Sequence, residues 1–195
     1  MVTNAPMWVR SEYKSAFARS RTAEGRSAIC NAARSTASVT GQENSSERAN
    51  ADLYPDLTHV GAFVTAFAGY YDAPSARLAF ATAGHSPVIY RARGGRSRLL
   101  AATGLPLGVL PERGPTAETV RLGPGDVLVV ATDGFSEATS PGGELFGHER
   151  LLALVESNAT AAASGVADQL FTAVTEFAAG QAQDDDQTLL VLKGK

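Results

Sequence analysis

Between residues 62 and 130 the chain repeats one pattern: a short run of β-forming side chains, a turn signal, and another run. Residues 62–71 and Arg77-Leu-Ala-Phe-Ala81 flank Asp72-Ala-Pro-Ser75. Val88-Ile-Tyr90 and Arg98-Leu-Leu100 flank Gly94-Gly95, and Thr119-Val-Arg-Leu122 and Asp126-Val-Leu-Val-Val130 flank Gly123-Pro-Gly125. Turn residues at that spacing between apolar runs predict three hairpins. The period then changes. Residues 148–157 present Leu151, Leu152 and Val155, and residues 166–179 present Leu170, Val174 and Phe177 at helical spacing, with Gly180 placed to end the second helix. Leu189-Leu-Val-Leu192 reads as a last buried strand. Hairpins, then helices, then a strand predict an antiparallel α+β layered fold, not the regular strand–helix alternation of a doubly wound sheet.

The chain divides near Pro55. Before it, large apolar side chains are few, and Ala, Ser, Arg and Asn dominate. Val9, Tyr13 and Phe17 fall at i, i+4 and i+8, one helical face, with Trp8 beside it. Residues 21–46 are small and polar, so they are expected to pack less well than the strands after Thr58. Asn44-Ser-Ser-Glu47 reads as a capped helix start, opening a short helix that carries Leu53, Tyr54 and Leu57. Residues 1–49 are thus expected to form a helical, partly irregular arm of the same domain, whose body is residues 50–195.

Composition excludes several classes. A chain of 195 residues with 44% hydrophobic content suits one domain with a packed core. A formal net charge of −3 argues against a nucleic-acid partner. The single cysteine, Cys30, excludes a disulfide framework and a Cys-rich zinc site, and with no partner to lower its pKa it reads as inert. No apolar run approaches the roughly 20 residues of a membrane span, and no signal-peptide core opens the chain. A soluble cytoplasmic protein is expected.

Two acidic stations carry the sharpest chemistry. Asp133-Gly134 ends the apolar run that starts at Val127, and Asp184-Asp-Asp186 opens the last strand. Each alone reads as ordinary turn chemistry or a solvated loop. Together they make a hard, oxygen-rich pocket that suits Mg²⁺ or Mn²⁺ better than Zn²⁺, and a cation offsets the repulsion of three adjacent carboxylates. His85, in Gly84-His-Ser-Pro87, could serve as a general acid or simply tie down its loop; the loop role is preferred. His59 and His148 read as surface or loop residues. Thr103-Gly-Leu-Pro-Leu-Gly108 lacks the spacing of a phosphate-binding glycine loop and reads as a structural turn.

In order, the segments Phe63-Val-Thr-Ala-Phe67, Ala83-Gly-His-Ser-Pro87, Thr103-Gly-Leu-Pro-Leu-Gly108, Ala131-Thr-Asp-Gly-Phe-Ser-Glu-Ala138, Gly143-Glu-Leu-Phe-Gly147 and Asp185-Asp-Gln-Thr-Leu189 resemble the PPM-type, metal-dependent serine/threonine phosphatases. The resemblance covers residues 50–192 and is greatest to the bacterial sporulation-protein-E-like, sigma-factor-regulating branch. It implies an αββα sandwich of antiparallel sheets. It implies two Mn²⁺ or Mg²⁺ ions that activate a water, with no protein nucleophile, and assigns Asp133 and Asp185, with Asp186 beside it, to the metals. It implies a phosphorylated anti-sigma factor antagonist as partner and leaves a homo-oligomer open.

The family's early Asp-x-x-Gly-His/Lys-Gly segment has no counterpart here. Asp52 and Asp56, the only aspartates before Asp72, stand in another context. Ser86 stands where relatives commonly carry Asn. An N-terminally truncated sandwich with impaired phosphatase activity is therefore expected, the alternative being a non-catalytic binding module in sigma-factor regulation.

Overall fold

The computed structural model describes residues 16–21, 43–111 and 114–194. They fall into two compact units.

The first unit is a five-stranded antiparallel sheet in the order β1-β8-β7-β4-β5. Its strands are β1 (Ala16–Arg21), β4 (Val88–Arg91), β5 (Ser97–Leu100), β7 (Val127–Ala131) and β8 (Gln187–Lys193). The helices of this unit are α2 (Asp133–Ser136), α3 (Gly147–Ser157) and α4 (Ala163–Ala178). All five residues of the central strand β7 are buried, as its unbroken apolar run demands. Ile89, Val127, Val129, Leu189 and Val191 form one core with Leu151 and Val155 of α3 and Val166, Leu170, Phe171 and Val174 of α4. Two edge-to-face aromatic pairs lock it: Phe135–Phe171 with centroids 4.9 Å apart and Phe146–Phe177 at 5.2 Å. Arg150 lies over the Phe177 ring, pairs with Glu144 at 2.6 Å, and donates to the carbonyls of Leu145 and Phe146. It thereby fixes the 139–145 loop to the start of α3.

The second unit holds α1 (Glu43–Val60) and a three-stranded sheet in the order β2-β3-β6, from β2 (Ala66–Asp72), β3 (Arg77–Ala83) and β6 (Glu118–Arg121). The Asp72 carboxylate accepts from the backbone and hydroxyl of Ser75, which closes the β2–β3 turn. Past β3, Gly84 donates to the Gly104 carbonyl at 2.9 Å, and the amides of Thr82 and Thr103 each donate to the other's hydroxyl. A Cβ on Gly84 would lie 2.3 Å from the Pro106 ring, and φ there is +61°. The loop of residues 103–108 is thus the structural turn that its sequence predicts.

Three expectations change. The third hairpin does not form: β6 pairs with β3, whereas β7 pairs with β4 and β8. Gly123-Pro-Gly125 is a connection between two different sheets. Its turn chemistry was read correctly; which strand each run joins is a long-range choice that turn residues do not encode. Phe17 lies in β1, antiparallel to β8, and not on a helix. Six residues of modest β propensity make a strand there because β8 offers an edge of unpaired backbone groups. Trp8, Val9, Tyr13, Cys30 and most of residues 21–46 lie outside the described residues. The expected short helix carrying Leu53, Tyr54 and Leu57 runs for 18 residues, with Pro55 inside it. Gly180 follows the end of α4 in the left-handed region, φ +87°, as expected, and Ala179 before it is left-handed as well, φ +46°.

A proline within α1 removes one backbone bond and costs about 3 kcal/mol, so tertiary contacts must hold the helix. Asn50 supplies one. Buried to 1% exposure, it donates to the carbonyls of Leu110 and Pro111 and accepts from the Gly108 amide at 2.9 Å. Asn50→Ala leaves these groups without their partner, and the expected loss is about 1–3 kcal/mol in urea unfolding. A variant within a few tenths of a kcal/mol of wild type would contradict this role. No described helix is long and apolar enough to cross a membrane.

Candidate metal-binding site

The two acidic stations meet at one end of the five-stranded sheet. β7 and β8 are antiparallel, with Ala131 opposite Leu189, so the end of one strand adjoins the start of the other. Thr132 is the joint. Its amide donates to the Thr188 carbonyl, its hydroxyl donates to the Asp186 carbonyl at 2.7 Å, and that hydroxyl accepts the Thr188 amide at 2.9 Å. Buried Gln187 donates from Nε2 to the Gly134 carbonyl at 3.0 Å. Gly134 makes the approach possible. A Cβ there would lie 2.7 Å from the Asp186 carbonyl oxygen and 3.0 Å from that of Asp185.

The carboxylates differ in setting. Asp133, Asp184 and Asp185 are exposed, while Asp186 is buried at 4% exposure. Asp185 Oδ1 accepts the Asp186 amide at 2.7 Å, a local turn that orders the second station. Asp184 Oδ2 accepts from the Thr139 hydroxyl at 3.3 Å. Beside them opens a cleft of about 360 Å³, walled by Glu137, Thr139, Leu145, Val174, Asp184 and Asp185 among others.

As a metal centre the arrangement fits in kind and falls short in number. The donors are all oxygen, anionic, and on segments tied to each other, which suits a hard dication. Among the described residues, however, no three His, Cys, Asp or Glu side chains gather closely enough to hold an ion. His85 belongs to the other unit, half-buried past the end of β3. His59 is exposed in the last turn of α1, and His148 is half-buried at the start of α3. Sequence reasoning missed Thr132 and Gln187 as the residues that position the stations. Their signal was their place beside Asp133 and Asp186 in two of the matched segments.

Comparison with known proteins identifies the fold and the family. The chain is 31% identical over 130 residues to Protein IcfG of Synechocystis sp. (strain ATCC 27184 / PCC 6803 / Kazusa), and that stretch is 67% of this chain and a fifth of the relative's length. Among solved structures, the PPM Ser-Thr phosphatase MsPP from Mycobacterium smegmatis superposes with a TM-score of 0.63 at 17% identity, covering 95% of this chain and 100% of that one. The phosphatase domain of SpoIIE from Bacillus subtilis, presoaked in Mn, gives 0.56 at 19% identity, covering 100% and 94%. The fold is therefore that of the PPM phosphatases. The family model for stage II sporulation protein E matches residues 16–195, and the chain belongs to this family of PPM-type serine/threonine phosphatase domains.

Proposed function

We propose that the chain is a phosphatase-type domain that acts on phosphoserine or phosphothreonine of a regulatory protein in sigma-factor control, with activity well below that of a complete site. The partner is of the anti-sigma factor antagonist class, and the body of the domain is residues 50–195 with residues 1–49 as its arm. The observation that carries this is the meeting of Asp133 with the Asp185–Asp186 segment at one sheet end, held by Thr132 and Gln187. Asp133 and Asp185, with Asp186 behind them, are the residues that would hold Mn²⁺ or Mg²⁺. Such ions, when bound, supply an activated water and neutralise charge on the phosphoryl group. The protein's own part is to orient the carboxylates and to offer the adjoining cleft, whose Leu145 and Val174 wall suits a peptide flanking the phosphoresidue.

Among the described residues no three ligating side chains gather closely enough to hold an ion, which favours one other reading, a non-catalytic module that binds its phosphoprotein without hydrolysing it. Titrating Mn²⁺ into the purified chain and assaying a phosphoserine peptide separates the two. Weak Mn²⁺ binding with slow hydrolysis, both abolished by Asp133→Ala, is the expected result. Binding of the phosphopeptide with no Mn²⁺-dependent turnover would select the binding module. Fast turnover unaffected by Asp133→Ala would defeat the site assignment.

A further inference from the structure

The opposite end of the same sheet carries the opposite charge. The β4–β5 hairpin reads Arg91-Ala-Arg93-Gly-Gly-Arg96-Ser-Arg98, so four of the chain's 17 basic residues fall within eight positions that hold no acid. The rest of the chain is strongly acidic, since the whole protein still carries a net charge of −3. The hairpin is a rigid mount. Gly95 donates to the Ala92 carbonyl at 2.9 Å and Gly94 has φ +71°, the turn geometry that glycine permits. Its base is tied at two points. Asp126 accepts the Arg93 amide and the Tyr90 hydroxyl, and Glu156 of α3 accepts the Ser97 amide.

Among the described residues the guanidinium groups are not neutralised. Arg93, Arg96 and Arg98 are exposed, and among the described residues none of the four makes an ion pair. Arg98 stacks over the Tyr90 ring at 5.2 Å. Arg91 is half-buried, and its Nε is buried with no hydrogen-bond partner. Through the register Arg91–Val127–Lys193 it shares a row of the sheet with Lys193. Lys193 donates to the carbonyls of Ala159 and Ala161, and its ammonium is held below the ordinary lysine range by burial and then by Arg91. The hairpin thus projects a concentrated positive field from an otherwise negative molecule. Next to it a shallow, open depression of about 450 Å³ is lined by Arg96, Ser97, Leu152, Ala153, Glu156 and Ser157.

We infer that the β4–β5 hairpin, through Arg93, Arg96 and Arg98, is a docking surface for an acidic segment of a partner protein, separate from the Asp133–Asp185 site. Planar guanidinium forks match carboxylates two bonds at a time. The patch is one hairpin wide, and the negative remainder of the chain opposes a long polyanion or a charged membrane. An acidic peptide segment is the partner of matching size. Glu156 borders the depression, so the carboxylates of the partner would lie along the arginines and not within it. Val127, in the same row as Arg91, stands four residues along β7 from Ala131, about 13 Å at strand spacing, so the surface acts at a distance from the acidic stations. The inference stands on the hairpin and does not depend on phosphatase activity.

The test uses the whole chain and a fluorescein-labelled peptide of repeating Glu-Ser, with anisotropy as readout. Binding that weakens as salt is raised, and at least about a tenfold loss in Arg93→Glu/Arg96→Glu, is the expected result. Arg48→Glu/Arg77→Glu, which makes the same charge change elsewhere, should bind as wild type does. Thermal unfolding of each variant at the wild-type temperature shows that folding is intact. Equal loss in both double variants would overturn the assignment, because net charge alone would then explain binding. Tighter hairpin-dependent binding of a single-stranded DNA oligonucleotide, or of phosphatidylserine vesicles, at the same salt would overturn it in favour of that partner class.

Discussion

Phe135→Ala is expected to lower the unfolding free energy by about 3–5 kcal/mol. Phe135 is fully buried, at 0% exposure, and meets Phe171 of α4 edge to face at 4.9 Å. It follows Asp133-Gly134 directly, in a helix of four residues with no side-chain cap at its start. So short a helix cannot hold itself in water, and the Phe135 ring is what anchors it to the core. Removing the ring leaves a cavity between β7 and α4 and frees the segment that carries Asp133. Urea unfolding measures the first effect and Mn²⁺ titration the second. Phe135→Leu keeps most of the volume and should cost less than about 1.5 kcal/mol. A loss below about 1 kcal/mol for the alanine variant would show that the core closes over the gap and that α2 is held by something else.

Gly134→Val is expected to cost about 2–4 kcal/mol and to weaken divalent-ion binding further. The reason is contact and not conformation, because φ at Gly134 lies outside the left-handed range. The atoms that a side chain would strike at 2.7–3.1 Å are the backbone of Asp185 and Asp186, which cannot rotate out of the way. The two segments must separate, with loss of the bonds from Gln187 to the Gly134 carbonyl and from Thr132 to the Asp186 carbonyl. Gly180→Ala provides the contrast. Its φ is +87° but nothing lies within 4 Å of the added carbon, so strain alone applies, about 1 kcal/mol, with ion binding unchanged. If Gly134→Val bound Mn²⁺ as wild type does, the close approach of the stations would not matter to the site.

What the sequence disclosed and what it withheld differ by range. The β2–β3 and β4–β5 hairpins, α3, α4 and β8 were legible because each rests on local spacing and on turn residues between neighbours. The two acidic stations were legible because each ends or begins an apolar run. The pairing of β6 with β3, and of β1 with β8, was not, since it depends on which edges remain free once the other strands have paired. Residue 17 is the sharpest case: a helical spacing from Val9 to Phe17 coexists with strand geometry at Phe17. The helix carrying Leu53, Tyr54 and Leu57 was legible but its length was not, because the contact from Asn50 that helps hold it across Pro55 is long-range. Thr132 and Gln187 were overlooked because hydrogen-bonding residues between two carboxylates carry no periodic signal.

The order of strands in the larger sheet has a consequence for the chain as it is made. β8, formed by residues 187–193, lies between β1, whose Ala16 pairs with Leu192, and β7. Until that segment leaves the ribosome, β7 has a bare edge, β1 has no partner in the sheet, and Asp133 has no second station beside it. The five-stranded sheet therefore cannot be completed before β8 is made. It waits as a partly paired sheet with an apolar central strand exposed to other chains, a form prone to aggregation during synthesis. Completion is then a single late event, in which one strand closes the sheet and assembles the acidic site together.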